Sequence, residues 1–364
     1  MINSMARLAS MSMPCTRAGI LITHEGATFA PVISVRTGGS YHTAIYWSFP
    51  DGTHSIDRAP EKDFGSPGTR QTLLQVTPWE NLIALSVGYT GADAGGGYPY
   101  HDLLLPLRAG QNVSAIDGLS SYGSGLIAFA ACDNEELTSL VVDNMSGLVR
   151  LDAYDSGLTS VQLGSVAAPM SALGRLTLES CHLSSIDLTH CPQLGDFRCA
   201  GNRAVGGGPG LTAITLPPTN PSPLYHWCTH SNYLVEGVIP RVLSSSPLIN
   251  LIDLYLNNDG GAAGTGVYDF RNHDHLRNLR VYANPGITQV LIDGTPTLNN
   301  LQAQECTGLT QAEIDYLLVT IESFGTTADA ASLVNLLGCA APSATGVAAA
   351  TALQGRGWPV LYET

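Results

Sequence analysis

Apolar residues recur at fixed positions along most of the chain, from about Leu82 to Leu309. The pattern has an apolar residue at its first, fourth and sixth positions and a polar residue or a cysteine at its ninth, and weaker copies depart from it, as with Thr229 at a sixth position. The clearest copy is Leu276, Leu279, Val281 and Asn284. Because side chains alternate along a strand, the fourth and sixth residues face one side and the third, fifth and seventh face the other. Each copy therefore predicts a short strand with one apolar and one polar side.

The copies are spaced along the chain with a limited range of periods. They start at positions 126, 148, 173, 194, 224, 251, 276 and 298, so that neighbours are 21 to 30 residues apart. One copy cannot bury its apolar side alone, so neighbouring copies must stack, and a polar ninth residue can satisfy backbone groups at the bend. The spacing and the residue pattern resemble a leucine-rich repeat, which implies a solenoid over residues 78–309 with a binding function. A generic leucine-rich β protein is the alternative.

The segment before the repeats has a different pattern. Short strands are predicted at Pro31–Arg36, Tyr41–Phe49 and Thr69–Val76, between turns rich in glycine and proline. The run from Trp47 to Thr53, followed by Phe64 and by residues 68–76, resembles a PKD-like or immunoglobulin-like β-sandwich over residues 29–77. The resemblance implies a core tryptophan at Trp47, a hairpin turn at Asp51-Gly52, and Leu74 and Val76 as the last inward-facing pair. Residues 1–28 are expected to form an adaptor that orders only on assembly.

The end of the chain also departs from the repeat. Thr310 and Glu313 form a capping box for an amphipathic helix that runs to Phe324. A strand at Ser332–Leu337, an alanine-rich helix at Ser343–Gln354 and a strand at Trp358–Tyr362 are predicted after it. This order resembles the tail of many bacterial and phage repeat proteins, which implies an α/β cap over residues 310–364 that covers the last repeat. The residues that carry the resemblance are Ala341, Pro342, Gly346, Arg356, Gly357, Trp358 and Val360.

The expected fold class is mainly β with some α: a short sandwich, then an irregular solenoid, then the α/β cap. This combination resembles virion proteins of tailed phages or prophage products. Since the shared motifs are architectural, the resemblance implies a setting for the protein but no particular chemistry.

Charge and hydropathy narrow the classes of partner. The 16 basic and 30 acidic residues give a net charge of −14, which argues against nucleic acid or an anionic membrane as the main partner. No apolar stretch is long enough to span a membrane. The first residues have one arginine before position 15 and no continuous apolar run, so they make a poor signal peptide.

The 8 cysteines do not have the arrangement of a disulfide framework. Cys181 and Cys306 fall at the ninth position of a repeat and Cys199 at an inward sixth position. Buried cysteine behaves as a small apolar residue, so free thiols formed in a reducing cytoplasm are expected. A bridge between Cys181 and Cys191, or between Cys191 and Cys199, is the alternative.

Signals for enzymatic chemistry are scarce. The chain has no G-x-S-x-G, Walker A, H-E-x-x-H or C-x-x-C motif, so we expect no enzyme and no cofactor. One weak candidate for a metal site is the trio His226, Cys228 and His230, which share the polar side of one predicted strand. The pair His273 and His275 could add ligands only if its loop folded back. A polar strand face without metal is the expected state.

The polar side of the repeats is the better candidate for function. Tyrosine and arginine are enriched at binding hot spots, and rows of amides suit hydrogen bonding to carbohydrate or peptide. An ordinary solvated sheet surface is the competing explanation. The candidate binding residues are Arg150, Asp152, Tyr154, Arg175, Glu179, Arg198, His226, His230, Tyr255, Arg280 and Tyr282.

The sequence thus predicts a non-enzymatic structural or interaction protein of a tailed phage, as a head decoration, tail or baseplate component. Its location would be the virion, assembled in the host cytoplasm. Other virion proteins are the expected partners, with a glycan or protein of the host surface as ligand and a homo-oligomer in the assembled particle. The alternative is a secreted or cell-surface bacterial leucine-rich-repeat binding protein of the adhesin type.

Overall fold

A computed structural model describes residues 19–35, 43–77, 82–87, 112–122, 125–206, 210–217, 223–232, 248, 250–257 and 265–364. Within these residues the chain is mainly β, with a large parallel sheet and two α-helices. This confirms the predicted fold class at that level. The described part contains no helix that is both long and apolar enough to cross a membrane.

The strands are short and most have three to five residues. In chain order they are β1 (Ile20–His24), β2 (Thr28–Phe29), β3 (Val32–Val35), β4 (Ala44–Ser48), β5 (His54–Ser55), β6 (Lys62–Asp63), β7 (Arg70–Thr77), β8 (Leu82–Ser86), β9 (Val113–Asp117), β10 (Ala128–Ala130), β11 (Ser139–Val142), β12 (Arg150–Asp152), β13 (Ser160–Leu163), β14 (Arg175–Thr177), β15 (Ser185–Asp187), β16 (Asp196–Arg198), β17 (Ala213–Thr215), β18 (His226–Cys228), β19 (Asp253–Tyr255), β20 (Thr265–Asp269), β21 (Asn278–Arg280), β22 (Gly286–Leu291), β23 (Asn300–Gln302), β24 (Leu333–Asn335) and β25 (Val360–Leu361). The helices are α1 (Gln311–Ser323) and α2 (Ala344–Gly355), and a 3-10 helix covers Leu119–Tyr122.

The main sheet adds its strands in chain order. Across the described residues it has twelve strands, in the order β3-β8-β10-β12-β14-β16-β18-β19-β21-β23-β24-β25. All neighbours are parallel except β3 and β8, which are antiparallel. Each predicted repeat contributes one strand, and two-stranded parallel sheets (β11 with β13, β15 with β17, β20 with β22) form where the chain returns.

The register of the main sheet aligns the fourth position of one repeat with the fourth position of the next. Leu151 pairs with Leu176, which pairs in turn with Phe197. The same column continues through Trp227 and Leu254. These side chains are at most 1% exposed, so the column forms the core that no single repeat could enclose.

The ninth position closes the turn by donating hydrogen bonds to backbone carbonyls of two successive repeats. The Asn284 side-chain amide donates to its own repeat at Val281 and to the preceding repeat at Leu256, both at 2.9 Å. The thiols of Cys181 and Cys306 donate to the preceding repeat in the same way, at 3.1 and 3.0 Å. Buried carbonyls between the repeats are thereby satisfied.

Asn284→Ala should lower the free energy of unfolding by about 1–3 kcal/mol, because the buried Leu256 carbonyl loses its donor. The Val281 carbonyl keeps a donor in Cys306. Asn284→Cys is the matched control, since cysteine fills this position at Cys181 and Cys306, and it should cost less than alanine. Urea unfolding of the three proteins measures both differences, and equal losses for alanine and cysteine would contradict the role of the donor.

The eighth position of the repeats adopts a left-handed backbone that the sequence pattern did not reveal. The φ angles of these residues lie between 50° and 74°. Only two of the residues are glycine, although this conformation is costly for other residue types. The tight turn therefore overrides local preference. The residues are Asp133, Asp155, Ser180, Gly201, Ser231, Ala283, Glu305 and Gly338.

The N-terminal part differs from the sequence prediction in its boundaries. Five of its described strands form an antiparallel sheet in the order β5-β4-β7-β1-β9. The prediction that residues 20–28 belong to an adaptor is wrong, because β1 lies inside this sheet and Ile20 and Ile22 are fully buried. Strand β9 was predicted within the repeats but pairs with β1, while β3 pairs with β8 of the main sheet. The strands of the two sheets therefore alternate along the chain, and residue 77 does not divide one sheet from the other.

The expected core positions of this sheet are confirmed. Trp47 is fully buried and its Nε1 donates to the Asp57 carbonyl at 3.0 Å. Leu74 and Val76 are also buried. Gly52 has a φ of 83° in the hairpin between β4 and β5, which only glycine adopts without strain.

The C-terminal elements follow the prediction closely. The Thr310 hydroxyl accepts from the Glu313 amide and begins α1, and Ser343 caps α2. However, β24 and β25 are the last two strands of the main sheet, so the sheet ends at β25 and not at β23. Val334, Leu336 and Cys339 occupy the fourth, sixth and ninth positions of a further repeat that begins at Ala331, and the Cys339 thiol donates to the Ala303 carbonyl at 3.1 Å. The repeat thus continues into the segment predicted as a separate cap.

The seven described cysteines all carry free thiols and are buried. Neither of the two bridges considered from the sequence is formed. Burial raises the pKa of the thiols of Cys181, Cys191 and Cys306 to about 12. These thiols are therefore protonated and unreactive at neutral pH.

Acid should weaken the N-terminal sheet through His24. This residue is fully buried, stacks on Phe29 with ring centroids 4.2 Å apart, and places Nε2 3.2 Å from the Thr72 hydroxyl. Burial, and then the charge of Arg70, lowers the pKa of His24 from 6.5 to about 4. Between these two pH values the unfolded chain binds a proton that the folded chain does not, so stability falls as pH decreases from 6.5 towards 4.

We expect the free energy of unfolding to fall by about 2 kcal/mol between about pH 7 and about pH 5, because His24 is protonated in the unfolded chain but not in the folded one. His24→Phe should flatten the pH dependence by that amount, whereas His275→Phe at an exposed position should not change it. Chemical denaturation at the two pH values measures the effect. If the free energy of unfolding of His24→Phe fell between the two pH values by as much as that of the native chain, His24 would not be the cause of the acid sensitivity.

Candidate binding face

The third, fifth and seventh residues of the repeats lie on the side of the main sheet opposite the apolar core. Neighbouring strands of a sheet are about 4.8 Å apart, so these residues form continuous rows across the strands. We call this surface the polar face. It consists of Arg150, Asp152, Tyr154, Arg175, Thr177, Glu179, Asp196, Arg198, Ala200, His226, Cys228, His230, Asp253, Tyr255, Asn257, Asn278, Arg280, Tyr282, Asn300, Gln302 and Gln304.

One part of the polar face is buried, although its side chains are charged. Arg150, Asp152, Arg175 and Asp196, which we call the closed part, are only 1–8% exposed. Arg150 Nε donates to Asp152 Oδ2 at 2.5 Å. Arg175 Nε lies 3.8 Å from a carboxylate oxygen of Asp152 and 3.8 Å from one of Asp196. The charges alternate along the sheet, so each arginine of the closed part lies beside a carboxylate.

Arg198 and His226 continue this alternation towards the middle of the face. Arg198 Nε donates to Asp196 Oδ1 at 3.1 Å. The His226 ring lies between two carboxylates, with Nε2 3.9 Å from Asp196 and Nδ1 3.4 Å from Asp253. Burial acts to raise the pKa of Asp253, but hydrogen bonds from His226 and Asn278 outweigh it and hold this pKa below its usual value.

The trio considered for metal binding does not converge on one point. His226 faces Asp196 and Asp253, while His230 Nδ1 lies 3.1 Å from the Ser231 hydroxyl. Cys228 is 5% exposed, its thiol is 3.8 Å from Glu179, and burial raises its pKa to about 12. In the described ranges, no three His, Cys, Asp or Glu side chains are grouped closely enough to hold a metal ion. His273 is buried beside Phe270 and adds no ligand to the trio.

The other end of the polar face is partly exposed. We call it the open part, and its members are Tyr255, Asn278, Arg280, Tyr282, Asn300, Gln302 and Gln304. The Arg280 guanidinium lies over the Tyr255 ring, 4.4 Å from its centroid. This cation–π contact fixes both side chains at the surface. The open part therefore offers aromatic, guanidinium and amide groups to a ligand.

Two polar atoms of the open part are unsatisfied within the described structure. Arg280 Nε and Gln304 Oε1 are buried as atoms and have no hydrogen-bond partner among the residues described. A buried donor or acceptor without a partner is costly, and such atoms are rare in folded proteins. Asp152 Oδ1 in the closed part likewise has no hydrogen-bond partner among the residues described, so this feature is not confined to the open part.

The sequence pattern does not separate the closed from the open positions. Arg150, Asp152 and Arg175 occupy the same repeat positions as the residues of the open part, yet these three are buried and already paired. Tyr154, Glu179, Arg198, His226 and His230 are partly exposed and lie between the two groups or at their edge. Asp196, which joins Arg175 to Arg198, was absent from the predicted site. The alternation of Arg and Asp at equivalent repeat positions was the available signal.

Compared with known protein families and with curated proteins, the chain matches none.

Proposed function

We propose that this chain is a non-enzymatic interaction protein of a tailed-phage virion that recognises its ligand through the open part of the polar face. In this proposal the strands β8 to β24 of the main sheet belong to a leucine-rich-repeat solenoid, and the antiparallel sheet β5-β4-β7-β1-β9 belongs to a PKD-like sandwich. The protein acts as a head decoration, tail or baseplate component.

The order of the main sheet supports the solenoid. Its strands follow the chain one repeat at a time, with equivalent residues in one column and a repeated side-chain bond at the turn. A stack of repeats that contact only their neighbours has this arrangement. The buried Trp47 and the hairpin at Gly52 support the sandwich in the same way.

The contrast between the two parts of the polar face is the observation that carries the binding function. The closed part pairs its charges with one another and is nearly inaccessible. The open part is partly exposed, and the contact between the Arg280 guanidinium and the Tyr255 ring holds two of its side chains at the surface. Tyr and Arg anchors held in place in this way are typical of binding hot spots.

The proposed location in a virion rests on the combination of an N-terminal sandwich, a series of repeats and the C-terminal segment 310–364, which resembles the tail of bacterial and phage repeat proteins. Free buried thiols also favour a protein that folds in a reducing cytoplasm over a secreted adhesin. A particle carries many copies, so weak single contacts become effective through multivalency. An interaction protein with a modest binding surface is suited to this setting.

Sedimentation of lysates from the phage or prophage host tests the setting. An antibody to the chain should detect it in the gradient fractions that contain assembled particles with capsid protein. Its presence only in the cell envelope or the culture supernatant would overturn the virion proposal and favour the secreted alternative. Particles treated with high salt should retain the protein if it is an integral component, and a contaminant should be washed away.

A further inference from the structure

The open part of the polar face is dominated by side-chain amides. Asn278, Asn300, Gln302 and Gln304 lie in neighbouring rows on β21 and β23 and just after β23. Each carboxamide offers two N–H donors and one carbonyl acceptor. Gln302 Nε2 donates to Asn300 Oδ1 at 3.1 Å, which orients this pair and leaves further donors and acceptors on both residues. A ligand that both donates and accepts at each position would fit these rows.

The open part carries almost no net charge, although the chain as a whole is at −14. Arg280 is its one cation among the described residues and is engaged by the Tyr255 ring. The carboxylate of Asp253, on the same strand as Tyr255, is paired with His226 and accepts from Asn278 at 2.5 Å. Neither a basic nor a strongly acidic partner is favoured by such a surface, because complementary charge is missing.

We infer that the open part binds a neutral oligosaccharide lying across β19, β21 and β23. Sugar hydroxyls both donate and accept, as the amide rows require, and the apolar face of a pyranose ring can pack on Tyr255 or Tyr282. The rows are about 4.8 Å apart, close to the length of one sugar ring, so successive sugars can meet successive strands. This inference rests on the proposed use of the open part for recognition.

A panel of fluorescent neutral oligosaccharides built from glucose, galactose, mannose or N-acetylglucosamine tests the inference. At least one should bind the full chain in a polarisation titration. Gln302→Ala should weaken that binding roughly three- to ten-fold, since it removes one or two hydrogen bonds at the surface. Gln162→Ala is the matched control, because Gln162 is an exposed glutamine on β13, away from the polar face, and this change should leave the affinity unchanged.

Three outcomes would overturn the inference. The first is that no oligosaccharide of the panel binds, and the second is that Gln162→Ala and Gln302→Ala weaken binding equally. The third is that an unstructured peptide library yields a ligand that Gln302→Ala releases while the oligosaccharides fail. The third result would leave the proposed function standing and replace only the class of ligand. The sedimentation experiment proposed above does not depend on any of these three outcomes. Failure of the virion proposal can therefore be distinguished from failure of the oligosaccharide inference.

Discussion

Asp196→Ala should lower the free energy of unfolding by about 3–5 kcal/mol, the largest loss that we expect from a single polar residue. Asp196 is 1% exposed and lies within 3.1–3.9 Å of Arg198, Arg175 and His226. Removing its carboxylate leaves buried positive charge that the remaining acids cannot fully compensate. Urea or thermal unfolding measures the loss directly.

Asp269→Ala provides the matched control for this prediction. Asp269 also pairs with an arginine, Arg271, at 2.7 Å, but both side chains are well exposed at 37% and 49%. Water screens such a pair, so its removal should cost less than about 1 kcal/mol. If the two substitutions had equal effects, the closed part would be an ordinary solvated surface and our account of its burial would be wrong.

Leu279→Ala should lower the free energy of unfolding by about 2–5 kcal/mol through the cavity that it leaves. Leu279 is fully buried and lies in the fourth-position column between Leu254 and Leu301. Both neighbouring repeats lose contacts, because Leu279 lies between their fourth-position residues.

Val166→Ala is the control for the column, since Val166 is 89% exposed and its truncation should leave the midpoint of thermal unfolding nearly unchanged. Leu279→Met should cost less than about 1.5 kcal/mol because it preserves most of the side-chain volume. A Leu279→Ala protein that melted within one degree of the native chain would contradict the repeat assignment.

The sequence correctly predicted the elements in which the local residue pattern matches the way the element packs in the fold. The fourth and sixth positions of the repeats, such as Leu279 and Val281, are buried as expected. The helix capped by Thr310 begins where the capping box placed it. In these cases residue spacing alone determines which side chains face the core.

Long-range pairing could not be predicted from local pattern. Strand β1 has an alternating pattern, yet its partners β7 and β9 lie about fifty and ninety residues further along the chain. The burial of Arg150 and Arg175 was also hidden, because strand periodicity predicts which side a residue faces and not how accessible that side is. The left-handed turns at Ala283 and Glu305 are likewise imposed by the stacking of repeats.

The pairing of β1 with β9 changes how the N-terminal part can be tested. A deletion of residues 1–77 would remove β1 and β3, and so would expose the edges of both β9 and β8. Exposed strand edges promote aggregation, so this truncation would not yield a clean repeat domain. Substitutions in the open part, which lies far along the main sheet from β3, test recognition without that defect.

Adsorption of particles to host cells is the most direct test of recognition through the open part. Particles that carry Arg280→Ala together with Tyr282→Ala should retain the protein in the gradient and should adsorb at least ten-fold less well, since two anchor residues are lost. Particles with Arg271→Ala, an exposed arginine outside the polar face, should adsorb normally. Unchanged adsorption of the double variant, with the protein still on the particle, would contradict recognition through this face.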